Sequence, residues 1–196
     1  MPRIQPVSPA EANGDAKVLL DGVKASIGAV PNIFATFAQS PKVLEGYLGL
    51  NKALSSGLLN ARLREQIALA IAGANACDYC ASAHTAIGKM TGVAPDELTR
   101  NLAGQSEDAQ VQAALTFVRK AVAARGLVAD ADVQALRYAG FGDGEIVEIV
   151  AHIGVNLLTN YFNHIVGTDI DFPVVRFAPD PGGRGLGDGS DPGHCR

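Results

Sequence analysis

Leu63-Arg64-Glu65-Gln66-Ile67-Ala68-Leu69-Ala70-Ile71-Ala72-Gly73-Ala74-Asn75-Ala76-Cys77-Asp78-Tyr79-Cys80-Ala81-Ser82-Ala83-His84 decides how the rest of the chain is read. Its first half places Leu63, Ile67, Ala70, Ile71 and Ala74 at the three- and four-residue spacing of one helical face. Asn60 stands ahead of it as a cap, because a short side-chain oxygen can accept from the first free backbone N–H groups. Near Asn75-Ala76-Cys77 the chain must turn, since a further helix carries Cys80, His84, Ile87 and Met90. If the two helices run antiparallel through that turn, Glu65 returns to roughly the level of His84.

The same spacing collects chemistry. Cys77 and Cys80 are i, i+3, and Cys80 and His84 are i, i+4, so all three side chains line one stripe. The thiolate is the reactive form of cysteine, and a helix N-terminus favours it through exposed N–H groups. His84 is placed to take the Cys80 proton, and Glu65 to orient and charge-balance the imidazole. Cys80 would attack oxygen or sulfur, and Cys77, one turn earlier, would close an intramolecular disulfide. The carboxylate of Asp78 opposes thiolate formation. Two other readings of these residues stand beside this one. Cys77, Cys80, His84 and Glu65 could form a zinc site, with Glu65 a poor fourth ligand. The cysteines could also be inert core residues, with Glu65 a surface charge paired to Arg62 or Arg64.

The whole chain frames that site. At 196 residues, 47 % apolar and 18 % charged, it is long enough for one sizeable core and is not of disordered composition. A net charge of -4 argues against nucleic acid as a partner. Its most apolar stretches, around 67–76 and 146–158, are too short to span a bilayer or carry Glu148, His152 and Asn156. Three cysteines, two of them in one CxxC, do not make a secreted disulfide framework. The N-terminus has no apolar signal region, so a cytoplasmic location is expected.

Residues 1–7 read as an extended arm, followed by a weak amphipathic helix from Pro9 to Ile27 that Val30-Pro31-Asn32 breaks. Ser40-Pro41 starts a helix that Gly57 ends. After the thiol helix, which Gly92 ends, Pro95 opens a short one. Further helices are expected over 108–124, 130–138 and 144–166, with no convincing strand pattern anywhere. One all-helical domain is expected over 1–177, with a thiol-bearing half at about 28–104 and a partner half at about 105–177. The stretch 178–196, rich in Gly and Pro, reads as a flexible tail carrying an incidental Cys195. The two halves echo each other, because Glu65 to His84 and Glu145 to His164 are both nineteen residues apart. His152 and His164 read as satisfied helix-face residues rather than ligands or bases.

Glu65-x11-Cys77-x2-Cys80-x3-His84 resembles the active-site signature of the alkyl hydroperoxidase D / carboxymuconolactone decarboxylase superfamily. The text from Asn160 to Pro173 is similar to its "uncharacterised peroxidase-related" branch, so the resemblance spans about residues 28–175. It implies an all-α bundle of the alkyl hydroperoxidase D type. It also implies Cys80 as peroxidatic thiol, Cys77 as resolving thiol, His84 as base and Glu65 at the start of the proton relay. No metal, haem or flavin is implied. The implied partners are a hydroperoxide substrate, a dithiol reductant of protein or lipoyl type, and further copies of the chain as a trimer or hexamer. Alkyl hydroperoxidase D has a histidine between its cysteines, where this chain has Tyr79, and carries its motif nearer the C-terminus. The true lactone decarboxylases lack the CxxC, which disfavours decarboxylation here. The expected activity is therefore thiol-dependent peroxidase. Thiol–disulfide exchange or another detoxifying reaction of the family, and a non-catalytic redox sensor or scaffold, are the alternatives.

Overall fold

The computed structural model describes residues 1–176; the Gly/Pro-rich tail and Cys195 lie outside the described residues. Within them the chain forms helices only: α1 (Gly14–Ile27), α2 (Asn32–Phe37), α3 (Pro41–Ser55), α4 (Ala61–Ala74), α5 (Asp78–Met90), α6 (Pro95–Leu102), α7 (Ala109–Ala123), α8 (Asp130–Tyr138) and α9 (Asp143–Val166).

The α4 helix is the hub, packed against α5, α6, α7 and α9. Its apolar residues divide among three cores, the smallest joining Leu69 to Val93 and Leu98. Leu63, Ile67, Ala70 and Ile71 meet Leu115 and Val118 of α7, Leu136 of α8 and Ile149 of α9. Ala72 meets the second core, built from Leu20 of α1, Phe37 of α2, Leu44 of α3, and Tyr79 and Cys80 of α5. Each fully buried Leu or Ile contributes about 2 kcal/mol by removing apolar surface from water. The thiol-bearing end of α5 therefore belongs to a packed core rather than to a loop.

Some boundaries follow from side-chain caps. Asn60 accepts from the Leu63 N–H at 2.9 Å and starts α4 as expected. Asp108 accepts from the N–H groups of Gln110 and Val111 and starts α7. Three expectations need correction. The helix expected from Pro9 begins only at Gly14, because the N–H groups of Glu11 and Ala12 bond back to Ser8 in a separate turn. Pro31 does not merely break the chain. It sits at the N-cap of α2, a six-residue helix whose Ile33, Ala35, Thr36 and Phe37 are buried. The nineteen-residue echo also fails as geometry. Glu145 and His164 stand near opposite ends of one continuous 24-residue helix, α9, and cannot meet as Glu65 and His84 do. Glu145 instead accepts from the Gly142 N–H at 2.8 Å. The N-terminal arm is fastened at Arg3, whose N–H donates to the Val166 carbonyl at 2.6 Å.

Close approach of α4 to the end of α6 depends on Gly73, where a Cβ would overlap the carbonyl oxygen of Leu102. That atom is backbone and has no rotamer to escape into. Gly73→Ala is expected to cost about 3 kcal/mol through overpacking, roughly 10 °C of Tm in a chain of this size. Thermal melting checks this, and an unchanged Tm would contradict the α4–α6 contact.

Candidate active site

The turn between α4 and α5 builds the site. Ala76 adopts φ +51°, a left-handed conformation that a residue with a Cβ adopts at some cost. It reverses the chain directly after α4. Cys77 follows in extended conformation and takes the N-cap position of α5. Its sulfur accepts from the backbone N–H of Cys80 at 3.4 Å, so the first thiol also caps the helix. Asn75 steadies the turn from its other side, donating to Asn160 Oδ1 of α9 at 3.2 Å. Both cysteines are free thiols, each only 2 % exposed.

Antiparallel packing of α4 and α5 joins Glu65 to His84, with Oε2 and Nδ1 2.8 Å apart. The contact is largely enclosed, with side-chain exposures of 16 % and 22 %. The pairing of Glu65 with Arg62 or Arg64 does not form; the Arg64 guanidinium donates to the Leu59 carbonyl instead, at 2.6 Å. Because Nδ1 faces a carboxylate, Nε2 is the ring nitrogen left to exchange protons. Among the described residues no hydrogen bond joins His84 to either sulfur, so proton transfer between them would run through a bridging water.

The sulfurs themselves are held differently. Hydrogen bonding from the Cys80 thiol, aided by the Cys80 backbone N–H and the nearby His84, holds Cys77 below the ordinary thiol range despite burial and the Asp78 charge. The same S–H···S contact, together with burial, pushes Cys80 well above it. The pair therefore favours a monoanion with its charge on Cys77 at the helix N-terminus and its proton on Cys80. The negative charge of Asp78 is partly offset by Arg176, 3.3 Å away.

One residue from the far end of the chain reaches the thiols. Asn163 of α9 donates through Nδ2 to the Cys80 sulfur at 3.3 Å, and the Thr159 hydroxyl lies near that sulfur. Sequence reasoning missed both. The available signal was the row His152, Asn156, Thr159, Asn160 and Asn163, polar residues at helical spacing that α9 buries. A polar stripe inside an apolar helix must have polar neighbours. His164 bonds through Nε2 to the Asn75 carbonyl at 2.9 Å, in keeping with a satisfied helix residue. His152 departs from that expectation. It is buried, its Nε2 has no partner among the described residues, and burial holds its pKa below the ordinary value.

A cavity of about 240 Å³ opens beside the turn, lined by Ala76, Cys77, Tyr79, Asn163, Thr168 and Ile170 among others. It reaches Cys77 but is not lined by Cys80, Glu65 or His84. A larger cavity of about 420 Å³ lies elsewhere, between Arg62, Gln66, Glu97 and Arg100. Arg100 there lies 3.1 Å from Glu97 and 2.9 Å from Glu107, and no cysteine, histidine or hydroxyl side chain lines it. Among the described residues no cluster of three or more His, Cys, Asp or Glu side chains is arranged to hold a metal ion. No helix among them is long and apolar enough to cross a membrane.

Residues 41–124 match the Carboxymuconolactone decarboxylase family. The chain is also similar to the alkylhydroperoxidase AhpD core structure of an uncharacterized peroxidase-related protein from Ralstonia eutropha JMP134. The two share 28 % identity over 87 % of this chain and 92 % of that one, with a TM-score of 0.79. An uncharacterized peroxidase-related protein from Silicibacter sp. TM1040 shares 22 % identity over 85 % and 91 % of the chains, with a TM-score of 0.73. The debrominase Bmp8, whose structure is also known in complex with 2,3,4-tribromopyrrole, shares the fold at 21 % identity over 86 % and 91 %, with a TM-score of 0.72. No curated protein matches the chain. The family match over residues 41–124 and the shared all-α fold both point to the alkyl hydroperoxidase D / carboxymuconolactone decarboxylase superfamily.

Proposed function

We propose that the protein is a thiol-dependent peroxidase that reduces hydroperoxides with the Cys77–Cys80 dithiol. The observation that carries this reading is the placing of two free thiols, one helical turn apart at the start of α5, near a largely enclosed Glu65–His84 pair on α4 and α5. Similarity to the peroxidase-related protein of R. eutropha supports it at the level of family.

The cycle balances without a metal or bound cofactor. Cys80 as thiolate attacks the outer oxygen of ROOH; the O–O bond breaks, leaving Cys80 sulfenic acid and an alkoxide that is protonated to ROH. Cys77 then displaces water from the sulfenic acid and forms the disulfide. A dithiol returns two electrons and two protons. Attack needs the Cys80 proton moved, to Cys77 along the S–H···S contact or to His84 Nε2 through water. Glu65 holds the ring for the second route. Peroxide consumption by the purified protein in the presence of dithiothreitol tests the activity. Absence of peroxide-dependent dithiol oxidation would move the function to another reaction.

Thiol–disulfide exchange is the second reading, favoured by one observation: the charge-bearing sulfur, Cys77, is the one that the cavity reaches. The debrominase relative shows that the fold also serves other chemistry.

Association with further copies of the chain is part of the same proposal. On α9 the exposed residues Val147, Val150, Leu158, Tyr161 and Ile165 form one apolar stripe. Gly154, with open space beside it, lies at the centre of its Val147–Tyr161 part. Val150 and Leu158 are four residues to either side of Gly154, and Val147 and Tyr161 seven. A stripe symmetric about its midpoint matches an antiparallel copy of itself, which is what a two-fold interface requires. Leu158→Glu is expected to shift light-scattering mass toward a smaller species; an unchanged mass would exclude this stripe as the contact.

A further inference from the structure

We infer that reducing equivalents enter at Cys77, through the cavity lined by Ala76, Tyr79, Asn163 and Ile170, and that Asn163 holds the Cys80 sulfur as the leaving thiolate. This rests on the reading that the pair cycles through a Cys77–Cys80 disulfide, and it concerns a different half of the cycle from peroxide attack.

Three observations lead there. The cavity opens onto Cys77 and not Cys80, so a molecule entering it meets one sulfur of the bridge. Cys77 stands at the N-cap of α5, where the Cys80 N–H already supports a charged sulfur. On the buried side, Asn163 donates to Cys80 at 3.3 Å and is itself only 5 % exposed. The other half of its amide, Oδ1, has no partner among the described residues although it is buried. Asn163 also lines the cavity. Its side chain thus holds the inner sulfur with its donor while the residue stands in the wall of the entry path.

These positions define an order of bond changes. A slender dithiol enters as its monothiolate, keeping its second thiol protonated. The thiolate attacks Cys77, the Cys77–Cys80 bond breaks, and a mixed disulfide forms on Cys77. Cys80 leaves as a thiolate against the Asn163 N–H and takes the proton of the second reductant thiol. That thiolate attacks its own partner sulfur in the mixed disulfide, closes a cyclic disulfide and releases Cys77 as thiolate. Two electrons and one proton have passed from the dithiol monoanion to the pair. The product carries its charge on Cys77 and its proton on Cys80, which is the distribution the reduced site favours. At about 240 Å³ the opening suits a slender dithiol better than a bulky one.

Trapping tests the entry sulfur without any peroxide. Cys80→Ser and Cys77→Ser proteins are each incubated with glutathione disulfide, and the mixed disulfide is followed by intact mass. The Cys80→Ser protein, which keeps Cys77, is expected to form it at least tenfold faster. Equal rates, or faster trapping of the Cys77→Ser protein, would overturn the assignment. For Asn163, the oxidised Asn163→Leu protein is expected to be reduced by dithiothreitol about tenfold more slowly, and Asn163→Gln less so. Its Cys80 should also need a higher pH for alkylation, a change that a folding defect alone would not produce. Unchanged reduction rate and alkylation profile would remove Asn163 from the mechanism. Trapping on Cys77 with no peroxide consumption would leave this inference standing and refute the peroxidase reading; peroxide consumption with trapping on Cys80 would do the opposite.

Discussion

Cys80→Ser is expected to abolish sustained cumene hydroperoxide turnover, by at least about a thousandfold, because the sulfur assigned to take the peroxide oxygen is gone and Cys77 alone has no neighbouring thiol with which to close a disulfide. Ser retains a hydroxyl of similar shape, and the Asn163 amide keeps an acceptor. The loss should therefore come with a Tm within a few degrees of the unmodified protein. Cys77→Ser should differ in kind. Cys80 would still take one oxygen, but the sulfenic acid would have no neighbouring thiol to condense with. A single turnover followed by arrest is expected, with the sulfenic acid detectable by dimedone labelling. Stopped-flow peroxide consumption with mass analysis separates these outcomes. Full multiple turnover by the Cys80→Ser protein would end the assignment of that sulfur.

His84→Ala and Glu65→Gln carry the second large effect. General acid–base groups of this kind contribute about 10²- to 10⁴-fold. His84→Ala should lie toward the upper end, since it deletes the ring. Glu65→Gln keeps a side chain that can still accept from Nδ1 and should lose less. The direction with pH is the more informative part. In the proposed cycle both residues serve to move a proton off Cys80, whose pKa stands above the ordinary range because of its hydrogen bond to Cys77 and its burial. At high pH solvent hydroxide takes over that task, so the deficit should shrink as pH rises. A deficit equal at every pH would point to lost structure, which the 2.8 Å contact between α4 and α5 makes a fair alternative.

What the sequence made legible is the part governed by local rules. The Asn60 cap, the turn before Cys77, and the return of Glu65 to His84 all follow from helical periodicity and a short connection. The parts not read depend on contacts distant in sequence. Nothing near Cys80 announces Asn163, 83 residues away, because the side chain arrives on a different helix. The short α2 was hidden by Pro31, which reads as a breaker until its N-terminal position is known. Which of two neighbouring thiols carries the charge is likewise a property of the fold. Spacing alone makes Cys77 and Cys80 near equals, whereas the N-cap position, the cavity and the Asn163 contact distinguish them.

The central claim is that these two thiols form a peroxide-responsive redox pair, and iodoacetamide labelling tests it most directly. Labelling of each cysteine is followed by mass spectrometry across pH, with and without one equivalent of cumene hydroperoxide. One thiol is expected to label with an apparent pKa below the usual ~8.5, the other only at higher pH. Peroxide should protect both, with a loss of two hydrogens that dithiothreitol restores. Two thiols of ordinary pKa, labelled equally well after peroxide, would contradict the account.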